Sequence, residues 1–155
     1  MFTDVRRLPV FKNLREEHTI LLEPFIETFS CRTGKIVIQQ GSPADYLYVI
    51  ISGKVEISFK PYDGIPLTVS HVEPGGLFGW SAVVGSELYT SLVIAMEEVE
   101  AVRMHGDELR KLCIEHPEAG KEILNCLANA VSSRWKNAHE QVKSILTQGM
   151  KNKQS

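Results

Sequence analysis

Between Glu27 and Met104 the chain is cut into short segments rich in β-branched and aromatic residues, each closed by a turn. The segments are Lys35-Ile36-Val37-Ile38-Gln39, Tyr46-Leu47-Tyr48-Val49-Ile50-Ile51, Val55-Glu56-Ile57-Ser58-Phe59, Leu67-Thr68-Val69-Ser70-His71-Val72 and Ser91-Leu92-Val93-Ile94-Ala95. Gly34, Gly41-Ser42-Pro43, Gly53, Asp63-Gly64 and Pro74-Gly75-Gly76 punctuate them. Runs this short cannot make useful helices, and glycine turns at this spacing join antiparallel strands. The expected fold is mainly β with flanking helices (α+β), a double-stranded β-helix or jelly-roll barrel over 27–104. One stretch, Trp80-Ser81-Ala82-Val83-Val84-Gly85, is compact and fits a single helical turn.

Helical spacing brackets the barrel. Asn13 with Glu16 three positions on has the form of a capping box, and Pro24 marks an end, which predicts a helix over 13–24. Leu14, Ile20, Leu21 and Phe25 would be its inward face. Leu109, Leu112 and Cys113 sit at i, i+3, i+4 and predict a helix over 107–116. Pro117 and Glu118 then favour a new start, and Gly149 a stop, giving a long C-terminal helix over 117–148. At about 1.5 Å per residue it would run roughly 45 Å, longer than the domain it leaves.

That helix carries its own seam. Ala128, Val131, Trp135, Ala138, Val142 and Ile145 recur at spacings of three and four, with Arg134, Lys136, Glu140, Gln141 and Lys143 around them. Such a heptad pairs with a copy of itself, so a homodimer through the C-terminal helix is expected. The other reading is that the stripe packs onto its own barrel, as its first turns with Ile123, Leu124 and Leu127 are expected to do.

The chain has 155 residues, 43% of them apolar, and a formal charge of −2. One single-core globular domain over 1–155 is the natural reading. The charge gives no bulk attraction to nucleic acid, and no run approaches the ~20 apolar residues that cross a bilayer. Cys31, Cys113 and Cys126 form no close pair, as expected of reduced thiols in the cytoplasm, with Cys113 and Cys126 in core packing. The five histidines make no HxxxH or HExxH pair, so no metal is assigned. His71 is the only histidine among the strand segments, and no Gly-x-Ser-x-Gly or Cys/His arrangement occurs. No enzyme is expected.

The order of elements, with Phe11-Lys12-Asn13-Leu14 at the opening, resembles the cyclic-nucleotide-binding domain of the catabolite-activator (Crp/Fnr-like) superfamily. Gly34 to Asp45 is similar to its G-x-x-I-x-x-x-G-x-x-A-D turn, and Tyr46 to Val55 to its most recognisable strand pair. Pro74-Gly75-Gly76-Leu77-Phe78-Gly79 resembles the start of its phosphate-binding cassette. The resemblance implies a cytoplasmic regulatory or signal-transduction domain with a cyclic nucleotide as ligand. Relatives that read DNA carry a winged helix-turn-helix after the long helix. Only Met150 to Ser155 follow Gly149 here, so direct DNA binding is not expected.

The ligand is where the chain departs from the pattern. In nucleotide-binding members Phe-Gly is followed by Glu, which accepts from the ribose 2′-hydroxyl. An Arg about nine residues on takes the phosphate in a charged fork. Here Phe78-Gly79 is followed by Trp80, and nine onward stands Tyr89, with Thr90 and Ser91 behind it. No arginine occurs between Lys60 and Arg103. Loss of the fork alone costs ~1.5–3 kcal/mol, one to two decades in affinity. Tight binding of cyclic AMP or cyclic GMP is therefore not expected.

What remains at the pocket is Phe78, Gly79, Trp80, Ser81, Ala82, Tyr89, Thr90 and Ser91, aromatic surface with hydroxyls and the amides of Ser81 and Ala82. It suits another small planar ligand, neutral or weakly anionic, better than a cyclic phosphate. Trp80 could equally fill the barrel and leave no cavity. Over the purine end the resemblance places Ser133, Arg134 and Trp135, and Trp135 fits either a stacking role or the dimer seam. Three functions stay open: a ligand-sensing regulatory domain, a genuine cyclic-nucleotide-binding regulator, and a ligand-free dimer that binds a protein partner such as a sensor kinase.

Overall fold

Two antiparallel four-stranded sheets form the body of the computed structural model, which describes residues 8–59 and 67–132. The strands are β1 (Ile26–Cys31), β2 (Ile36–Ile38), β3 (Tyr46–Ser52), β4 (Val55–Phe59), β5 (Leu67–Val72), β6 (Leu77–Phe78), β7 (Leu92–Ala95) and β8 (Val99–His105). One sheet has the order β1-β8-β3-β6 and the other β2-β7-β4-β5, the jelly-roll arrangement. Among the described residues four α-helices accompany them: α1 (Glu16–Leu22), α2 (Ser81–Val84), α3 (Gly106–Glu115) and α4 (Pro117–Ser132).

Strand periodicity divides the interior in two, because successive side chains leave opposite faces. On β3 and β8, Tyr48, Ile50, Val99 and Ala101 point between the sheets, where they meet Ile38, Val55, Ile57, Val72, Phe78, Tyr89, Val93 and Ala95. Leu47, Val49, Val102 and Met104 point the other way, onto Leu22, Leu109, Leu112, Ile123 and Leu127 of the helices. β3 and β8 are thus buried on both faces. They form the wall between barrel and helices.

The N-terminal segment differs from its expected form. In place of one helix over 13–24 there is a 3-10 turn at Pro9–Phe11, then α1, then a second 3-10 turn at Glu23–Phe25. Asn13 caps nothing; the N-cap is Arg15, in extended backbone, and its amide donates to Glu122 Oε1 on α4 at 2.7 Å. This tertiary partner replaces the local cap, so α1 starts later than the capping box implies. The expected inward face is also rotated: Leu14 and Leu22 are buried, while Ile20 is 61% exposed. Pro24 has no N–H to continue an α-helix, and the chain tightens into the 3-10 turn.

At the far end, Ile123 and Leu127 are fully buried against the barrel side, whereas Leu124 is 36% exposed. Cys126 packs partly on that same core, and Cys31 on the core between the sheets; all three cysteines are free thiols. The helix expected to reach 148 is described as far as Ser132. Trp135, Ala138, Val142 and Ile145, like Ser133 and Arg134, lie outside the described residues, and of Ala128 and Val131 only the helical backbone is described. Among the described residues no helix is long and apolar enough to cross a membrane.

Candidate functional site

The site is built where β6 stops short. Along β3 the main-chain groups of Ile50, Tyr48 and Tyr46 face the same side, since alternate residues of an antiparallel strand share a neighbour. Ile50 is met by Gly75 and Gly76, its N–H donating to Gly76 O at 2.9 Å and its carbonyl accepting from Gly75 N at 2.9 Å. Tyr48 is paired with Phe78. Tyr46 would be next, but β6 ends and the chain turns away at Gly79, whose φ is +86°.

Tyr89 takes the vacant place. Its hydroxyl accepts from Tyr46 N–H at 2.8 Å and donates to the Tyr46 carbonyl. A phenol is both donor and acceptor, so one oxygen satisfies the pair of groups that a strand residue would have met. The ring is held in line because residues 87–89 run against the turn before β3: Tyr89 N–H donates to Ser42 O at 2.8 Å and Gly41 N–H to Tyr89 O at 2.9 Å. Tyr89 is 8% exposed and belongs to the core between the sheets.

Trp80 takes the other direction. Its side chain is partly buried against the core shared with the helices, and the residue also borders the cavity beside Tyr89. α2 follows it as one short turn, closed by Gly85 in the left-handed region. The Ala82 amide is already donated to Gly79 O at 3.1 Å, so it does not face a ligand.

Between these parts lies a cavity of about 10 Å³, lined by Ile38, Ile57, Gly79, Trp80, Ser81, Tyr89, Thr90, Ser91 and Val93. That is the room needed by the centre of one water. Six of the eight residues singled out in the sequence meet there. Phe78 and Ala82 do not: Phe78 stacks on Tyr48 with centroids 4.8 Å apart, and Ala82 is fully buried under α3. The sequence reading missed Ile38, Ile57 and Val93. Their alternation in β2, β4 and β7 marks them as inward-facing, but nothing local says which inward residues border a gap.

Arg103, the nearest arginine after the cassette, is in β8. Its guanidinium lies 4.1 Å from the Tyr46 ring centroid and its Nε 3.1 Å from Glu27 Oε2. It is committed to those partners, and it also hydrogen-bonds Tyr48. His105, at the end of β8, is a second strand histidine beyond His71, and its ring packs edge-on to Tyr46 at 5.0 Å. Among the described residues no three His, Cys, Asp or Glu side chains gather as metal ligands would.

Burial pushes the Tyr89 phenol up to about 12, from an ordinary value of 10.0. A group raised on folding contributes stability that is present below its unfolded value and lost as pH rises through its folded one. The wild-type chain should therefore lose stability between about pH 10 and 12 by an increment that Tyr89→Phe lacks. Melting temperatures of both proteins across that range measure it, and parallel curves would refute it. Tyr48, also raised by burial, is common to both and cancels.

Comparison with known proteins agrees with the fold. Residues 28–116 match the cyclic nucleotide-binding domain family. The chain is 30% identical over 122 residues to the CRP-like cAMP-activated global transcriptional regulator of Mycobacterium tuberculosis (strain ATCC 25618 / H37Rv). The match takes in 79% of this chain and 54% of that protein, so the chain spans about half the regulator's length. A protein of Geobacter metallireducens GS-15 described as cyclic nucleotide-binding superposes with a TM-score of 0.76 at 28% identity, covering 87% of this chain and 99% of that one. The N-terminal domain of a transcriptional regulator from Streptomyces coelicolor A3(2) superposes at 0.66 with 26% identity, covering 81% and 89%. On the family match, the sequence identity and the shared fold together, the chain belongs to the cyclic nucleotide-binding domain family.

Proposed function

We propose that this chain is a non-catalytic regulatory domain whose cassette does not hold cyclic AMP or cyclic GMP tightly. One observation carries the reading: Tyr89, which stands where the family pattern places its phosphate-binding arginine, has its hydroxyl already bonded to the Tyr46 main chain. It brings no charge to a phosphate, and using it for a ligand would strip two buried main-chain groups. Trp80 stands where the ribose carboxylate would be and is packed toward the helices. α2 has four residues, and one of its first amides is taken. Room for one water is no room for a nucleotide without rearrangement.

The domain then works by changing how α4 packs, in the cytoplasm, as a homodimer joined through the seam from Ala128 to Ile145 and with a protein partner. The apolar floor of Ile38, Ile57 and Val93 under the hydroxyls of Ser81, Thr90 and Ser91 favours a small neutral planar ligand over an anion, if one enters. Isothermal titration with cyclic AMP and cyclic GMP tests the central point. No saturable heat is expected in the low-micromolar range, because loss of the fork alone removes about one to two decades of affinity. Saturable micromolar binding of either nucleotide would overturn the reading.

A further inference from the structure

We propose that the Asp45–Tyr46 dipeptide is the junction through which the cavity governs α3 and α4, with Tyr89 as the positioning residue that holds it. A closed ring of contacts leads to this. The Tyr89 hydroxyl bonds both main-chain groups of Tyr46. One residue earlier, the Asp45 carbonyl accepts from the Gly106 amide at 2.8 Å, the first residue of α3. Gly106 in turn lies against Ala82: a Cβ on it would stand 2.3 Å from Ala82 O and 3.0 Å from Ala82 Cβ. The Arg110 guanidinium, one turn along α3, donates to that same Ala82 carbonyl and to Asp107. The Ala82 amide returns to Gly79 O, and Gly79 lies close enough to the Tyr46 carbonyl that an added Cβ would stand 2.6 Å from it, where the ring closes.

Two members of the ring, Gly79 and Tyr89, line the cavity, and two others, Gly106 and Arg110, belong to α3. α3 is bound to α4 just as closely, since a Cβ on Gly120 would stand 2.5 Å from Cys113 Cα. A molecule larger than water that enters between Ile38, Ile57 and Val93 must displace the Tyr89 ring. The Tyr46 groups then lose their partner, and the start of β3 is released together with the amide it holds on α3. Close-packed interiors shift between discrete arrangements and do not yield gradually, so a small displacement at Tyr89 becomes a repacking of α3.

The inference rests on the cavity being the regulatory site, but its test needs no ligand and stands apart from the nucleotide titration. Hydrogen exchange is followed on the full chain for wild type, Tyr89→Phe and Val72→Ala. The last removes buried volume from the same core, outside the ring. In Tyr89→Phe the Gly106 amide and the Ala82 and Val83 amides should exchange about tenfold faster relative to the β4–β7 ladder. Val72→Ala should lower protection without that local excess. Faster exchange confined to 41–46 and 87–91 in Tyr89→Phe, or a pattern like that of Val72→Ala, overturns the proposal. Should Tyr89→Phe fail to fold, Arg110→Lys reads the ring from the other end, since coupling is reciprocal. Lower protection of the Tyr46 amide then supports the proposal, and unchanged protection overturns it.

Discussion

Gly53→Ala is expected to cost about 4 kcal/mol or more and to leave little folded protein. Gly53 turns the chain from β3 to β4 with φ at +91°. A methyl group there would stand 2.2 Å from Glu98 O, 2.9 Å from Val99 Cα and 3.0 Å from Glu98 C. All three atoms are backbone, and Val99 is a fully buried residue of β8. No rotamer can relieve the overlap, so β8 must shift away from the sheet core or the turn must open. Gly34→Ala provides the internal comparison. Its φ is +87°, yet nothing lies within 4 Å of the added methyl. It should lose only the backbone strain, about 1 kcal/mol. Chemical denaturation of both variants separates the two effects, and equal losses would show that strain, not the clash, governs Gly53.

Gly79→Ala should follow closely, at about 3 kcal/mol. Its methyl would meet the Tyr46 carbonyl at 2.6 Å, with Tyr48 Cδ1 at 3.5 Å and Ile38 Cδ1 at 3.6 Å. The clash falls on the oxygen to which Tyr89 donates, so the variant should lose the Tyr89 bond as well as the turn. A distinct signature follows, because a phenol freed from that burial returns toward its ordinary 10.0. Ultraviolet titration of Gly79→Ala should show one more tyrosine ionising below about pH 11 than in wild type, by the usual tyrosine range. A folded variant with an unchanged tyrosine titration would contradict the contact.

Much of the barrel was legible because its strands announce themselves. β3, β4 and β5 are nearly unbroken runs of β-branched and aromatic residues between glycine turns, and their expected limits match the observed ones within a residue. β1, β6 and β8 were not singled out. β8 carries Glu100 and Arg103 among its apolar residues, and β1, at a sheet edge, is half-exposed along its length. β6 has two residues and no pattern to read. The N-terminal helix was misplaced for a different reason: its true start is fixed by Glu122, which is 107 residues away in sequence.

The candidate site divides along the same line. That the cassette segment holds no arginine was plain from the order of residues between Lys60 and Arg103. That Tyr89 turns inward was not. Its partner lies 43 residues earlier and offers only main-chain atoms, which carry no side-chain signature. Trp80, which local reading left between filling the barrel and facing a ligand, is partly buried against the helix-side core and also borders the cavity.

The Tyr89 hydroxyl, bonded to the Tyr46 main chain, has a further consequence, for the behaviour of the protein at high concentration. Where β6 ends, the first residue of β3 would offer a bare N–H and C=O at the margin of a sheet, a template for strands from other molecules. Proteins commonly blunt such margins with charge, proline or a bulge. Here a single phenol occupies both groups from within the same chain. A Tyr89→Phe population that stays folded would carry that margin unguarded, and its first failing on storage would be association through β3.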